Sequence, residues 1–234
     1  MLMKRIFPLI ALIVFLLSAC TVTEELTINS DRSGESVSDI HVEQFFIDVL
    51  GDFAEFLPEN DESIMDSAIS GYVNGMTGIT SIEESSWEKT GENEYLISFS
   101  YSSLEKLLSD FNADEQTLLT VTDNSISLYL DIESYQELKK IVPFLADPNF
   151  EVYAAEYNQG MSEEDYLDMI YFLLGEDGPE AIRNGQVTMD ITVPGTITAT
   201  EGCEAIDSNT IRFSFPIIDF LLLNEPISFS AEWN

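Results

Sequence analysis

The sequence predicts an α+β fold: a mostly antiparallel, curved sheet of about seven or eight strands with helices packed on one face. Two patterns support this class. Apolar residues alternate with polar ones near both ends of the chain and in its middle, as in half-buried strands, and the central part also carries apolar residues at helical spacing. The strands at either end are too few to close a sheet alone, so we expect a single domain over residues 25–234.

The first predicted strand contains Leu26 and Ile28, which alternate with polar residues. Residues 29–34 are typical of a turn, and residues 35–39 are predicted to return as the second arm of a hairpin. The strongest helical pattern follows and stops at Pro58. Its apolar positions are Val42, Phe45, Phe46, Val49, Leu50, Phe53, Phe56 and Leu57. We expect this segment to be a core helix.

A second helix is predicted from about residue 61, because apolar residues recur on one face as far as Met76. Strands are predicted over residues 79–89 and 95–101, with a turn at residues 90–93 between them. The second of these strands leads directly into Ser103, which is expected to cap a short helix.

A hairpin and a series of helices are predicted for the middle of the chain. The hairpin joins residues 118–122 to residues 126–132 through a turn at Asp123-Asn124. Helices are predicted over residues 135–145, 148–157, 162–174 and 179–183. The third of them has a capping box at Ser162 and Asp165 and ends at Gly175.

Beyond residue 185 the apolar period changes back to that of strands. Alternation predicts strands at residues 187–193, 197–199, 211–215 and 227–233, with a short apolar helix over residues 216–223. These strands complete the predicted sheet.

Residues 1–19 have the organisation of an export signal. Lys4 and Arg5 precede an apolar run that ends in Leu-Ser-Ala, and Cys20 follows. The run is too short to be a typical membrane span. The Leu-Ser-Ala-Cys ending resembles the lipobox of bacterial lipoproteins, which implies cleavage before Cys20 and its diacylation through a thioether, with acyl chains such as palmitate. Residues 20–24 are then expected to be a short tether. The alternative is an ordinary secretory signal with an incidental cysteine.

The charge of the chain argues against several partners. The formal net charge is −34, with 43 acidic and 9 basic residues. Nucleic acids and anionic lipid headgroups would be repelled. With Cys20 used by the anchor, Cys203 is alone, so we expect no intrachain disulfide. We also expect a monomer without a cofactor, held at the extracytoplasmic face of a cell membrane, or of an outer membrane if one is present.

Three stretches at the two ends of the chain form a recognisable set. They are the lipobox, the turn with Asp31, Ser33 and Gly34, and the run from Val193 to Gly202 before an aromatic strand. Together they resemble the LppM-like lipoproteins of bacteria. That resemblance implies an antiparallel sheet curled against helices and a lipid or glycolipid cavity. The chain departs from the pattern in its long helical region between about residues 41 and 185, and in showing no C-terminal transmembrane segment.

No set of residues predicts catalysis, and we expect that the protein is not an enzyme. Ser103 and Lys106 match the S-x-x-K of penicillin-recognising enzymes, and residues 89–91 match their K-T-G, but the order along the chain is reversed and no S-x-N element separates them. His41 is the single histidine and is expected to be exposed. Cys203 is expected to be half-buried, with its pKa raised by a nearby carboxylate.

The acidic residues do not predict a metal site. Two groups, Asp61, Glu62 and Asp66, and Glu176 and Asp177, lack the spacing of a calcium-binding loop, so we expect solvated caps and loops. A pair of carboxylates for glycoside hydrolysis stays open, because the separation of such a pair depends on the tertiary structure.

Two functions from different classes are consistent with these observations. In the first, a lipoprotein binds a hydrophobic or amphipathic ligand in a cleft between sheet and helices, lined by some of the aromatic residues. In the second, a lipoprotein for protein interaction or envelope assembly docks a basic partner on its acidic surface. The sequence names neither the ligand nor the partner.

Overall fold

The computed structural model describes residues 20–45, 47, 63–111, 113, 115–141, 145 and 151–234. The strands are β1 Cys20–Ile28, β2 Gly34–Val42, β3 Ile82–Gly91, β4 Glu94–Tyr101, β5 Leu119–Val121, β6 Ser125–Leu130, β7 Gln186–Thr192, β8 Ile197–Glu201, β9 Glu204–Ala205, β10 Thr210–Pro216 and β11 Ile227–Trp233. The helices are α1 Ile64–Met76, α2 Leu104–Asp110, α3 Ile132–Ile141, α4 Ala155–Asn158, α5 Glu163–Leu174, α6 Gly178–Asn184 and α7 Ile217–Leu222. The predicted α+β class is confirmed.

The strands form two sheets. The larger has seven strands in the order β3-β4-β2-β1-β7-β10-β9, and the smaller has four in the order β5-β6-β11-β8. Every pairing is antiparallel except that of β1 with β7. That parallel pair joins the N-terminal hairpin to the C-terminal strands, so the two ends of the chain share one sheet, as predicted.

One face of the seven-stranded sheet carries the core and is called the inner face below. In β2 buried positions alternate with more exposed ones, and the buried set includes Ile40 and Val42. The paired strands contribute Val22 from β1 and Tyr95 and Ile97 from β4. Because paired residues in a sheet point to the same side, these side chains form one continuous surface. The outer face is richer in threonine, serine and acidic residues.

Two layers cover the inner face. Helix α1 packs Met65, Ile69 and Met76 against the β1–β2–β4 part, which forms one apolar cluster. A larger cluster combines β7 and β10 with the four-stranded sheet and the C-terminal helices. The rings of Phe213 on β10 and Phe229 on β11 lie 4.6 Å apart between their centroids, so the two sheets meet through an aromatic contact. The helices therefore lie on one face of the large sheet, as predicted.

Local signals account for the ends of several elements. The hydroxyl groups of Ser63, Ser103 and Ser162 accept hydrogen bonds from backbone N–H groups in the first turns of α1, α2 and α5. Gly175 ends α5 with a φ of 86°, a left-handed value that glycine adopts readily. The predicted caps at Ser103 and Ser162 and the predicted end at Gly175 are confirmed.

The residues predicted to be a tether are part of the sheet. Strand β1 begins at Cys20 and pairs with β2 from that residue onwards, Cys20 lying opposite Val42. The expectation of a polar tether over residues 20–24 is therefore wrong. The physical cause is that residues 20–24 pair with β2 along their whole length. From Val22 onwards they also pair with β7, a parallel partner that lies far away in the sequence.

Three other predictions differ in detail. The described residues contain eleven strands in two sheets, more than the seven or eight predicted, because the chain divides between two packed layers. The predicted helix from residue 42 begins later, since Val42 ends β2, and residues 46 and 48–57 of that prediction lie outside the described residues. Of the predicted helix 148–157, the described part is a 3₁₀ turn at Glu151–Tyr153 followed by α4.

Candidate functional site

A carboxyl group lies in the middle of the inner face. Glu24 is on the central strand β1, in phase with Val22, Leu26 and Ile28, whose side chains belong to the core. Its cross-strand neighbours are Ser38 on β2 and Met189 on β7. An acidic side chain at the centre of an otherwise apolar sheet face is uncommon, because burying a carboxylate is costly.

Two serines hold this carboxyl group. The Ser36 hydroxyl donates to Glu24 Oε1, and the Ser38 hydroxyl donates to Glu24 Oε2. Both serines are buried, at 4% and 7% exposure. Burial raises the pKa of the Glu24 carboxyl above its ordinary value, although the two serine hydrogen bonds oppose this shift. We call Glu24, Ser36 and Ser38 the Glu24 cluster.

The surroundings of the Glu24 cluster are apolar and not fully covered. Leu26 packs on two core clusters and stays partly exposed. Phe99 on β4 and Met189 on β7 also pack on the core and stay partly exposed. Burial raises the pKa of Tyr72 on α1, and the charge of Glu24 adds to this shift. The cluster thus lies where the layer formed by α1 meets the layer formed by the C-terminal half.

The Glu24 cluster offers hydrogen-bonding groups to a bound molecule. The carboxyl can accept hydrogen bonds when ionised and donate one when protonated, and the serine hydroxyls can do both. Apolar side chains surround these polar groups, which is the usual composition of a site for an amphipathic molecule. Among the described residues, no group of three or more His, Cys, Asp and Glu side chains could hold a metal ion.

The sequence prediction missed Glu24 because it assigned residues 20–24 to a tether. A signal for the site was present: Val22, Glu24, Leu26 and Ile28 follow one another at a spacing of two. Extending the strand back by four residues would have placed the acid on the buried face. The serines carry no comparable signal, since Ser36 and Ser38 are ordinary residues for an exposed hairpin arm.

The structure gives local partners to the histidine and the cysteine named from the sequence. His41 is 45% exposed near the end of β2, with Nε2 3.9 Å from Glu43 Oε1 and Nδ1 3.9 Å from Glu94 Oε1. Cys203 is half-buried, and its thiol donates to the carbonyl of Ser230 over 3.5 Å. Burial raises the pKa of the Cys203 thiol. The predicted direction is confirmed, but its cause is burial and not a neighbouring carboxylate.

Ser103 and Asp66, also named from the sequence, have structural partners. The Ser103 hydroxyl donates to Glu105 Oε2 at 2.8 Å while capping α2. Asp66 Oδ1 accepts from the Tyr95 hydroxyl at 2.8 Å and from Lys89 Nζ at 3.2 Å. Asp61 and Glu62 lie outside the described residues.

Two surface cavities formed by described residues lie elsewhere. One, of about 220 Å³, lies between the turns that contain Arg32, Asp123 and Gly195, beside Trp233. There Arg32 Nη2 donates to Asp123 Oδ1 at 3.1 Å, and the buried Arg32 Nη1 has no partner among the described residues. The other, of about 350 Å³, is lined by residues that include Cys203 and is open to solvent. Neither lies between sheet and helices, so the lipid cavity implied by the family resemblance stays a prediction.

In the described part of the chain, no helix combines the length and the apolar composition that crossing a membrane requires.

Comparisons with known proteins give a similarity among solved structures. No family model matches the chain, and no curated protein matches it. Among solved structures, the chain is similar to the NMR structure of the folded domain of LppM from Mycobacterium tuberculosis, with 12% identity over 92% of this chain and 90% of that chain and a TM-score of 0.38. A similarity of this size assigns no family and transfers no function.

Proposed function

We propose that this protein is a lipoprotein, attached through Cys20 to the extracytoplasmic face of a membrane, that binds an amphipathic molecule on the inner face of its large sheet. The observation that carries the proposal is the Glu24 cluster, a carboxyl group and two hydroxyls surrounded by partly exposed apolar side chains. The export signal with its Leu-Ser-Ala-Cys ending supports the anchor.

The chemistry of the cluster restricts the head group of the ligand. An ionised Glu24 only accepts hydrogen bonds, so it favours a head that donates them, such as an alcohol or an ammonium group. An anionic head would be repelled both by this carboxylate and by the overall charge of −34. We therefore expect a molecule with one or more alkyl chains and a neutral or cationic head.

Binding of three matched probes tests this expectation. Dodecylamine, dodecanol and dodecanoate share one alkyl chain and differ only in the head. Each probe is titrated at pH 7.5 into the Cys20→Ser chain, at probe concentrations low enough to avoid micelles and aggregates of the probe. We expect one molecule per chain, with the amine or the alcohol bound at least about tenfold more tightly than the carboxylate, which corresponds to about 1.4 kcal/mol. The Glu24→Gln variant should lose most of this preference.

Two results would contradict the ligand proposal. One is equal affinity for all three heads, which would mean that the alkyl chain alone is recognised. The other is an unchanged preference in Glu24→Gln. Tyr129→Ser, which alters an exposed residue on β6, serves as the control and should bind as the parent chain does. A stoichiometric protein partner in place of a lipid, after purification from the producing cell, would favour the interaction hypothesis.

Acylation is tested separately through the two cysteines. Cells expressing the full chain are labelled with palmitate, and the membrane fraction is analysed. The parent chain and Cys203→Ser should both carry the label and sediment with membranes, whereas Cys20→Ser should do neither. Label retained on Cys20→Ser, or absent from the parent chain, would refute the anchor but leave the ligand site untouched.

A further inference from the structure

Helix α5 carries more apolar residues than the core can cover. Its buried side consists of Tyr166, Leu167 and Ile170. The last two turns of the helix read Met-Ile-Tyr-Phe-Leu-Leu, so they are apolar around the whole circumference. A helix on the surface of a domain buries only one stripe. Tyr171, Phe172 and Leu173 consequently remain 57%, 86% and 41% exposed.

We call these three exposed residues the α5 patch. Successive residues of a helix are about 100° apart, so Phe172 lies at the centre of the exposed side, with Tyr171 and Leu173 on either side of it. They are consecutive in the last turns of one helix, and Phe172 is the most exposed large apolar side chain of the described residues. Single exposed apolar residues need no explanation, but adjacent ones often mark a site of contact with another molecule. Aromatic side chains, phenylalanine among them, are also enriched at protein interfaces.

The charges around the α5 patch have one sign. Glu164 and Asp168 precede Tyr171 at helical spacing on the exposed side of α5, and Glu176 and Asp177 follow the helix directly. The last turn of α5 contains no basic residue, so the negative end of the helix dipole and two carboxylates coincide. This arrangement is unfavourable for the isolated protein.

No basic residue of the neighbouring sequence relieves this charge. Residues 141–182 contain no lysine, arginine or histidine. The first base after them is Arg183, whose Nε lies 3.6 Å from Glu163 Oε1 near the other end of α5. A cation that approaches the C-terminal end of α5 would therefore meet several carboxylates and the helix dipole together.

We propose that the α5 patch docks a basic segment of another protein, with Phe172 inserting into apolar side chains of the partner while lysine or arginine residues contact the acidic border. Charge complementarity selects this occupant. A second copy of the chain would bring its own net charge of −34, and an anionic membrane would likewise be repelled. The docking surface uses none of the residues of the Glu24 cluster.

Binding of a fluorophore-labelled peptide that is rich in lysine and leucine tests the proposal. Its affinity is measured by fluorescence anisotropy at about 0.15 M salt, where the Debye length is about 8 Å. The full chain carries Cys20→Ser in every sample. Phe172→Ser should weaken binding about tenfold or more, and the double change Glu176→Gln with Asp177→Asn should weaken it several-fold. All these residues are exposed, so the variants are expected to fold.

Matched changes at other exposed sites distinguish docking from diffuse attraction. Tyr129→Ser removes an exposed ring from β6, and Glu83→Gln with Glu84→Gln removes two exposed charges from β3. Both should leave the affinity within about twofold of the parent chain. Equal weakening by both pairs of acid substitutions would overturn the proposal, because binding would then depend only on total charge. Unchanged binding by Phe172→Ser would overturn it as well.

Discussion

Replacing Glu24 by glutamine should change how the stability of the protein depends on pH. In the unfolded chain the carboxyl titrates near its ordinary pKa of 4.5, whereas burial raises the pKa in the folded chain. Between these two pKa values the folded state holds one proton more than the unfolded state, so the free energy of unfolding falls as the pH rises. The loss is complete above the folded pKa. Glutamine has no proton to release and removes this dependence.

The size of the effect follows from the pKa difference. Each unit by which the folded pKa exceeds the unfolded one corresponds to about 1.4 kcal/mol of stability lost at neutral pH. Glutamine keeps the shape of the side chain and can still accept from one serine of the cluster while donating its amide group to the other. At pH 7.5 we therefore expect Glu24→Gln to be more stable than the parent chain. At pH 4 the difference should vanish or reverse.

Urea unfolding at half-unit intervals between pH 4 and pH 8 measures this difference. Other carboxylates have pKa values that are lowered by hydrogen bonds, and their protonation in acid destabilises both proteins. Among them are Asp110, for which the hydrogen bond from Ser81 is the largest cause, and Asp131, for which the hydrogen bond from Ser134 is the largest cause. Their contribution cancels in the comparison. Glu35→Gln, at an exposed position of β2, controls for the removal of one charge. A Glu24→Gln variant less stable than the parent chain at pH 7.5 would refute the reasoning, since the serines would then stabilise the ionised form.

Two further pairs of variants test the packing. A Cβ atom at Gly34 would lie 1.9 Å from the Thr27 carbonyl oxygen and 2.3 Å from Tyr101 Oη, so Gly34→Ala should lower the free energy of unfolding by more than about 2 kcal/mol. A Cβ atom at Gly71 on α1 would meet open space, so Gly71→Ala should raise the free energy of unfolding by up to about 1 kcal/mol. Equal effects of the two alanines would contradict the described packing. Tyr101→Phe loses a 2.9 Å hydrogen bond to the Thr27 carbonyl and should lower the free energy of unfolding by about 1 kcal/mol. Tyr135→Phe removes a buried hydroxyl that lacks a partner among the described residues, so it should not lower the free energy of unfolding. Urea unfolding measures all four variants, and a Tyr135→Phe cost equal to that of Tyr101→Phe would show that this hydroxyl is bonded.

Short-range chemistry made much of the fold predictable. Ser162 is followed by three acidic residues and an apolar stripe, and this local pattern is sufficient to begin a helix. The alternation of Ile227, Phe229, Ala231 and Trp233 likewise predicts β11, because only one face of that strand is buried.

Long-range pairing made the rest unpredictable. The parallel pairing of β1 with β7 joins residues more than a hundred positions apart, and no local signal reports it. Together with the pairing to β2, it makes residues 20–24 part of a strand and places Glu24 on the inner face. The division into two sheets has the same origin, since the Phe213–Phe229 contact depends on the tertiary arrangement.

Site mapping with a photoreactive ligand tests the central claim most directly. Dodecylamine with a diazirine in its alkyl chain is bound to the Cys20→Ser chain and irradiated, and the modified residues are identified by peptide mass spectrometry. The account predicts adducts on the inner face around the Glu24 cluster, at Leu26, Phe99 or Met189, and their loss when unlabelled dodecanol is added in excess. Adducts confined to the α5 patch or scattered over the surface would contradict a binding site on the inner face.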